Sequence, residues 1–313
     1  MPIKIPNQLP AKEILEGENI FTMTETRALQ QDIRPLRVLL LNLMPTKIAT
    51  ETQILRKMSN TPLQIEVTLL RAGTHESVNT SQEHLDSFYR TFEEIRDERY
   101  DGLIVTGAPV ELLEFEDVDY WDELCEIMNW AHTHVYSTLY ICWGAMAGIY
   151  HHYGVQKVNL PEKLSGVYRH TLDKETSPLV RGIDDVFNMP HSRYTGVLAQ
   201  DVLANPQLEL IAHSEEAGVA IVKSADSKDF FIFGHSEYDC DTLQLEYERD
   251  VAKGIDPNVP ENYFPNDDPA QKPLNTWRSV GQLLYTNWLN YYVYQTTPYD
   301  IRGIREGIRT ESD

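Results

Sequence analysis

Three apolar runs, each closed by a turn and followed by a stretch of helical periodicity, limit what this chain can fold into. They are Val38-Leu39-Leu40-Leu41, Leu103-Ile104-Val105 and Leu139-Tyr140-Ile141. A strand without polar alternation is covered on both faces, as in parallel sheets flanked by helices. The intervening segments agree. Residues 47–58 carry Ile48, Ile54 and Leu55 among their apolar positions, and 80–99 carry Leu85, Phe88, Phe92 and Ile95 at spacings of three and four. Residues 120–132 read as a third helix, and residues 63–70 alternate toward a further strand. Pro45 and Gly107-Ala108-Pro109 mark turns. Strand and helix alternating through short connections predict an α/β fold, with a mostly parallel sheet and helices on both faces.

The second half changes character. Segments around 163–171, 208–213, 218–223 and 229–235 read as strands, with antiparallel additions to the sheet. Residues 241–253 form a helix, 256–273 a Pro- and Asn-rich loop, 275–294 a long aromatic helix, and 306–313 a charged tail that frays. No repeat and no clear linker appears. One domain over 1–313 is expected, with an N-terminal extension at 1–35, a catalytic core at 36–255 and a C-terminal loop, helix and tail at 256–313. The extension, broken by Pro2, Pro6, Pro10 and Pro35, is expected to wrap the core or join an interface.

The net charge of −21 argues against nucleic acid as a partner, because such binding needs clustered Lys and Arg. It does not exclude an anionic substrate, since distant surface charge is screened over about 8 Å. The opening Met1-Pro2-Ile3-Lys4-Ile5-Pro6 lacks the apolar core of a signal peptide, and no segment approaches the roughly 20 apolar residues of a membrane span. A cytoplasmic protein with three free thiols, Cys125, Cys142 and Cys240, is the expectation.

Cys142 stands apart from the other two. It closes a buried strand and precedes Trp143-Gly144-Ala145, the start of a helix. At the carboxyl end of a parallel sheet, that position is where ligands bind. A helix N-terminus favours thiolate over thiol. Its free N–H groups, beginning with that of Trp143, can face an oxyanion. The arrangement is similar to the strand–nucleophile–helix elbow of serine hydrolases, with sulfur for oxygen. The bland alternative is a small core residue, because free Cys is often buried. Cys125 fits that description within its helix, and Cys240 has no assigned role.

A thiolate nucleophile needs a histidine held by a third group. Two tripeptides compete, His213-Ser214-Glu215 and His235-Ser236-Glu237. In extended chain, residues two apart point to the same side, so either Glu can orient its own His. His213 runs into a turn at Glu215-Glu216-Ala217-Gly218 and should be exposed. His235 follows the buried strand Phe230-Phe231-Ile232-Phe233-Gly234 and is favoured. The other histidines lack Cys or acidic partners at ligand spacing, so no metal site is expected.

With these residues in view, the chain resembles the class I glutamine amidotransferase-like fold. More specifically, it resembles the homoserine O-acyltransferase family of methionine biosynthesis. The likeness runs through Leu41-Asn42-Leu43-Met44-Pro45-Thr46-Lys47, Thr106-Gly107-Ala108-Pro109, Met189-Pro190-His191-Ser192-Arg193 and Gly234-His235-Ser236-Glu237-Tyr238. The resemblance implies ping-pong transfer from an acyl-CoA through Cys142 to the hydroxyl of L-homoserine. His235 would act as base, with Glu237 holding it. It implies Lys47 as a cation near the thioester; the alternative is a solvated lysine at a helix start, where the dipole disfavours it. Arg249 is assigned to the homoserine carboxylate, and Lys163 and Ser192 match substrate-contacting positions. Glu246 shares a helical face with Arg249 and either takes the ammonium or forms a surface ion pair of little value. A homodimer is implied, and no cofactor beyond the acyl-CoA substrate.

Glu111 departs from part of that family. Succinyl-CoA-using members carry glycine at this point, after Thr-Gly-Ala-Pro and one apolar residue. A glutamate fills space and repels the free carboxylate of a succinyl group, which favours acetyl-CoA. The competing description is a loop acid that points away. The rival functions are homoserine O-succinyltransferase, a glutaminase or γ-glutamyl hydrolase of the same fold, and, least favoured, a non-catalytic binding module. No synthase domain accompanies the chain, which weighs against a glutaminase.

Overall fold

The structure, a computed structural model, describes residues 3–6, 8–18, 22–24, 34–74 and 80–298. The tail at 306–313 lies outside them. Strand β1 (Ile3–Ile5), helix α1 (Pro10–Gly17) and strand β2 (Thr22–Thr24) come first. The α/β run follows: β3 (Leu36–Leu41), α2 (Lys47–Met58), β4 (Ile65–Leu70), α3 (Gln82–Phe88), β5 (Tyr89–Arg90), α4 (Phe92–Ile95) and β6 (Tyr100–Val105). Then come α5 (Trp121–His134), β7 (Val135–Ile141) and α6 (Trp143–Tyr153). The second half holds β8 (Lys157–Leu172), β9 (Val186–Val197), α7 (Ala199–Ala204), β10 (Leu208–Ser214), β11 (Gly218–Ser224) and β12 (Asp229–Ile232). Helices α8 (Thr242–Ala252) and α9 (Arg278–Asn287) end the fold, α9 running into a π-helical turn at Trp288–Tyr294.

The described strands form one sheet in the order β2-β1-β4-β3-β6-β7-β12-β11-β10-β8-β9, with β5 against β4. From β2 to β12 every pair is parallel, and from β12 onward every pair is antiparallel. The expected parallel sheet with antiparallel additions is therefore the observed architecture. The N-terminal extension adds two strands to its edge.

Strand periodicity divides the core into two layers. Val38, Leu40 and Ile104 pack with α1, α2 and α9 on one face, through residues such as Leu15, Ile54, Leu55 and Leu284. Leu39, Leu41, Leu103 and Val105 pack with α5 and α6 on the other, through Leu124, Met128, Trp143 and Ile149. The aromatic C-terminal segment is part of the first layer, where Tyr285, Trp288 and Leu289 are buried. Among the described residues no helix is long and apolar enough to cross a membrane.

The structure corrects two expectations. The single helix expected over 80–99 is two short helices parted by β5. Ser81 caps α3 by accepting from the His84 N–H, and a Thr91–Glu94 capping box opens α4. Between them Tyr89 is extended and pairs with Leu69. Its hydroxyl donates to buried Glu51 at 2.6 Å and accepts from the Asn42 amide at 2.9 Å. A helix would forfeit those bonds. The second correction is β9, a twelve-residue strand over Val186–Val197 that no strand pattern announced. It sits at the sheet's edge, where Pro190 forfeits no ladder bond it needs.

Helix α6 starts hard against the sheet. A Cβ on Gly144 would stand 2.6 Å from the Thr106 carbonyl oxygen and 3.0 Å from that of Val105. Gly144→Ala should therefore cost about 1–3 kcal/mol in urea unfolding, as overpacked sites do. A loss within the error of extrapolation would show that the helix start has room to move.

Candidate active site

The elbow is built by three adjacent strand ends. Cys142, at the end of β7, has φ 51° and ψ −115°, left-handed backbone that a non-glycine residue adopts at a cost of about 1–3 kcal/mol. Its N–H donates to the Ile232 carbonyl of β12 at 2.7 Å, and its own carbonyl accepts from Met146 N–H at 3.1 Å, starting α6. On the β6 side, a Cβ on Gly107 would lie 3.3 Å from Cys142 Cβ and 3.7 Å from Trp143 N. Trp143 opens the helix, so its N–H has no intrahelical acceptor and faces this junction. A carbonyl attacked at sulfur would put its oxygen beside that donor.

His235 stands three residues past β12, its own N–H donating to the Pro190 carbonyl at 2.8 Å. Its Nδ1 lies 2.7 Å from Glu237 Oε1, and both side chains are about 95% buried. Burial opposes charge on this imidazole. Cys142, by charge and by side-chain contact, and then Glu237 outweigh it, raising His235 well above its usual range. The three residues named from sequence are thus one cluster. The competitor, His213, is half-exposed and pairs with Asp173 at 2.8 Å rather than with Glu215.

Two residues of this cluster went unnamed in the sequence. Tyr238 stacks on His235 with ring centroids 4.1 Å apart and planes 16° off parallel. Arg193 is 2% exposed; burial lowers its pKa, and interactions with Cys142 and Glu111 oppose the shift. It donates to His191 Nδ1 and to the Thr195 and Ala217 carbonyls, so its charge is held in place. Both lie inside motifs quoted above, and that position was the only signal available in the sequence.

Strand β9 distributes the remaining partners by its two-residue period. Ser192 and Tyr194 face α8: Ser192 Oγ donates to Glu246 Oε2 at 2.5 Å, and Lys163 Nζ lies 5.8 Å from the Tyr194 ring. Glu246 Oε1 also accepts from the Tyr238 hydroxyl at 2.9 Å, which ties α8 to the ring stacked on His235. Glu246 is therefore no surface ion pair with Arg249. Arg249, exposed, donates instead to Asp250 Oδ1 at 2.8 and 2.9 Å, and Lys163 Nζ donates to Asp250 Oδ2 at 3.1 Å. Arg193 and Thr195 face the other way. There Glu111 Oε2 accepts from Tyr194 N–H at 2.8 Å, Thr195 N–H at 3.2 Å and Thr195 Oγ at 3.1 Å. Glu111 does not point away as a loop acid. Burial pushes its pKa up, against those hydrogen bonds and Arg193.

Lys47 is buried at the start of α2. Its Nζ donates to the carbonyls of Asn42 at 2.7 Å and Met44 at 3.3 Å, over the Tyr89 ring. Burial lowers its pKa to about 8. It ties down the β3–α2 turn, whose Leu43 N–H donates to Thr106 Oγ beside Gly107. Cys240 donates to the Pro273 carbonyl, and among the described residues no hydrogen bond joins its thiol to the cluster.

Comparison with known proteins adds an independent line. Residues 2–299 match the family model described as homoserine O-succinyltransferase. The chain is 59% identical over 303 residues to a homoserine O-acetyltransferase of Brevibacillus brevis, covering 97% of this chain and 99% of that one. It is 58% identical to one from Clostridium novyi (96% and 99% covered) and 56% identical to one from Methanomethylophilus alvi (97% and 98%). Among solved structures it is similar in fold to a glutamine amidotransferase from Thermotoga maritima, at 13% identity and TM-score 0.54 over 82% of this chain and 98% of that one. Another, from Methylobacillus flagellatus, gives 15% identity and TM-score 0.52 over 82% and 95%.

The three thiols should react unequally. Burial pushes Cys125 up to about 11 and raises Cys240 as well, whereas Cys142 faces a cationic partner. Iodoacetamide at neutral pH should alkylate Cys142 first, and His235→Asn should slow that reaction about tenfold. Peptide mapping showing Cys125 or Cys240 modified faster would contradict the assignment.

Proposed function

The chain belongs to the homoserine O-succinyltransferase family, and from that premise we propose that it transfers an acetyl group from acetyl-CoA to L-homoserine. The product is O-acetyl-L-homoserine. The observation that carries the chemistry is Cys142, held in left-handed backbone at a helix start, with His235 and Glu237 bonded behind it.

Protons balance across the two halves. The sulfur of Cys142, as thiolate, attacks the thioester carbonyl, and the oxyanion meets the Trp143 N–H. The intermediate collapses, expelling the CoA thiolate, which takes the proton from His235. Neutral His235 then removes the proton of the homoserine hydroxyl as its oxygen attacks acetyl-Cys142. Expulsion of the cysteine thiolate leaves it beside a protonated His235, as at the start. Glu237 fixes the tautomer throughout and stabilises the imidazolium.

Recognition falls to the β9–α8 side. Arg249 suits the homoserine carboxylate, with Lys163 and Ser192 beside it and Glu246 available to the ammonium. Lys47 and Arg193 supply positive charge near the reacting sulfur. The donor preference rests on Glu111, whose carboxylate is fixed against the strand that also carries Arg193. A succinyl carboxylate directed there meets a like charge, or filled space if Glu111 is protonated; an acetyl group meets neither penalty. The names of the curated relatives support the acetyl donor, although the family model's description names the succinyl ester. The same reading carries a cytoplasmic enzyme, a homodimer and no resident cofactor.

Equal acetyl-CoA and succinyl-CoA offered with L-homoserine, and products identified by mass, test this reading. O-acetyl-homoserine should dominate, and Glu111→Gly should move the ratio toward succinyl at least about tenfold. A ratio unchanged by that substitution removes Glu111 as the determinant. Glutamine hydrolysis without CoA dependence would instead favour the glutaminase reading.

A further inference from the structure

Behind the cluster lies an ionisable group that the transfer chemistry leaves unused. Lys57, on α2, is 5% exposed, and among the described residues its ammonium has no hydrogen-bond acceptor. Helix α9 presses this group toward the histidine loop. A Cβ on Gly281 would overlap the Ser236 carbonyl oxygen and stand 2.9 Å from Lys57 Nζ. Glu237 is the foremost attracting charge on Lys57, ahead of Asp239, while Arg56 and Arg278 repel it. Glu237 in turn spends Oε1 on His235 and keeps Oε2 buried with no hydrogen bond. The buried Tyr285 hydroxyl, equally unbonded, belongs to the same neighbourhood and feels the same carboxylate. Lys57 also lines a cavity of about 730 Å³ with Tyr238, Asp239 and Arg278, so protons can reach it.

We propose that Lys57 is a positioning residue for the reaction: its ammonium, near Glu237 but not bonded to it, keeps His235 free to act as a neutral base in the acyl-enzyme.

The argument turns on what acylation does to the charges. In the free enzyme, Cys142 and Glu237 both hold a proton on His235. Once the sulfur is a thioester it carries no charge, and Glu237 alone retains that hold. A cation beside Glu237 weakens it, which lowers the pKa of His235 when homoserine must be deprotonated. The other groups around the imidazole are His191, held neutral by burial, the protonated Tyr238, and Arg193, a cation bonded to His191 that substitution of Lys57 leaves in place. Burial lowers Lys57 itself to about 8, so it is charged at neutral pH. A unit charge several ångströms away in a partly buried site moves a neighbour by about one pH unit.

This inference rests on His235 being the base, and the test separates the two claims. Full-length enzyme is loaded from acetyl-CoA, freed of CoA, and discharged by L-homoserine in single turnovers between about pH 5 and about pH 9. In the wild type the rate rises through the pKa of His235 and levels off. Lys57→Met and Lys57→Gln should each move that rise upward by about one pH unit, a roughly tenfold loss below it, with the plateau little changed. Lys57→Arg keeps the charge and should leave the rise in place. A uniform loss at every pH with an unmoved rise, or an equal shift in the arginine variant, overturns the role of Lys57 alone. Wild-type enzyme that takes up no acetyl group overturns the parent reading, and this one with it.

Discussion

The site depends on a single unfavourable backbone conformation. Cys142 sits at φ 51°, and the strain is sustained because its neighbours over-determine it. Its N–H is taken by Ile232 and its carbonyl by Met146, while Gly144 lets the helix lie directly on the carbonyl of Thr106. The sulfur is thereby fixed at the sheet edge where β6, β7 and β12 all end. The groups around it leave these and a neighbouring strand end: Gly107 after β6, His235 after β12, and the Asn42–Lys47 turn after β3. Parallel strands deliver their carboxyl ends to one edge, so residues distant in sequence converge there without a long loop.

The antiparallel half does different work. Strand β9 is a divider, presenting Ser192 and Tyr194 to α8 and Arg193 and Thr195 to the elbow and Glu111. On the proposed function, acceptor recognition and donor discrimination would fall to opposite faces of one strand. The strong overall negative charge of the chain coexists with buried cations, Lys47, Lys57 and Arg193, set among the buried carboxylates Glu51 and Glu237. Buried charges interact through low dielectric and are little screened, so these groups act on one another far more than the distant surface charge acts on them.

Much of this was legible in the sequence because it is local. Apolar runs gave the parallel strands, and the elbow followed from a cysteine between a strand and small residues. His235 and Glu237 were paired because side chains two apart share a side. What escaped depends on contacts distant in the chain. The break at Tyr89 is set by Glu51 and Asn42 across the fold, against a helical periodicity that held over both halves. Strand β9 is polar and contains Pro190, so it lacks a strand's pattern and exists because β8 pairs with it. Helical spacing placed Glu246 and Arg249 on one face, yet their partners, Ser192, Tyr238 and Asp250, were beyond its reach. Nothing in the local sequence distinguishes Lys57 from a surface lysine; only Gly281, more than two hundred residues on, brings its environment about.

The most direct measurement is of the covalent intermediate. The chain incubated with acetyl-CoA and no acceptor should gain the mass of one acetyl group. Peptide mapping should find it on Cys142 as a hydroxylamine-labile thioester, and L-homoserine should remove it as O-acetyl-homoserine. An acetyl group on another residue, or undiminished turnover in a Cys142→Ala chain that forms no adduct, would contradict the account.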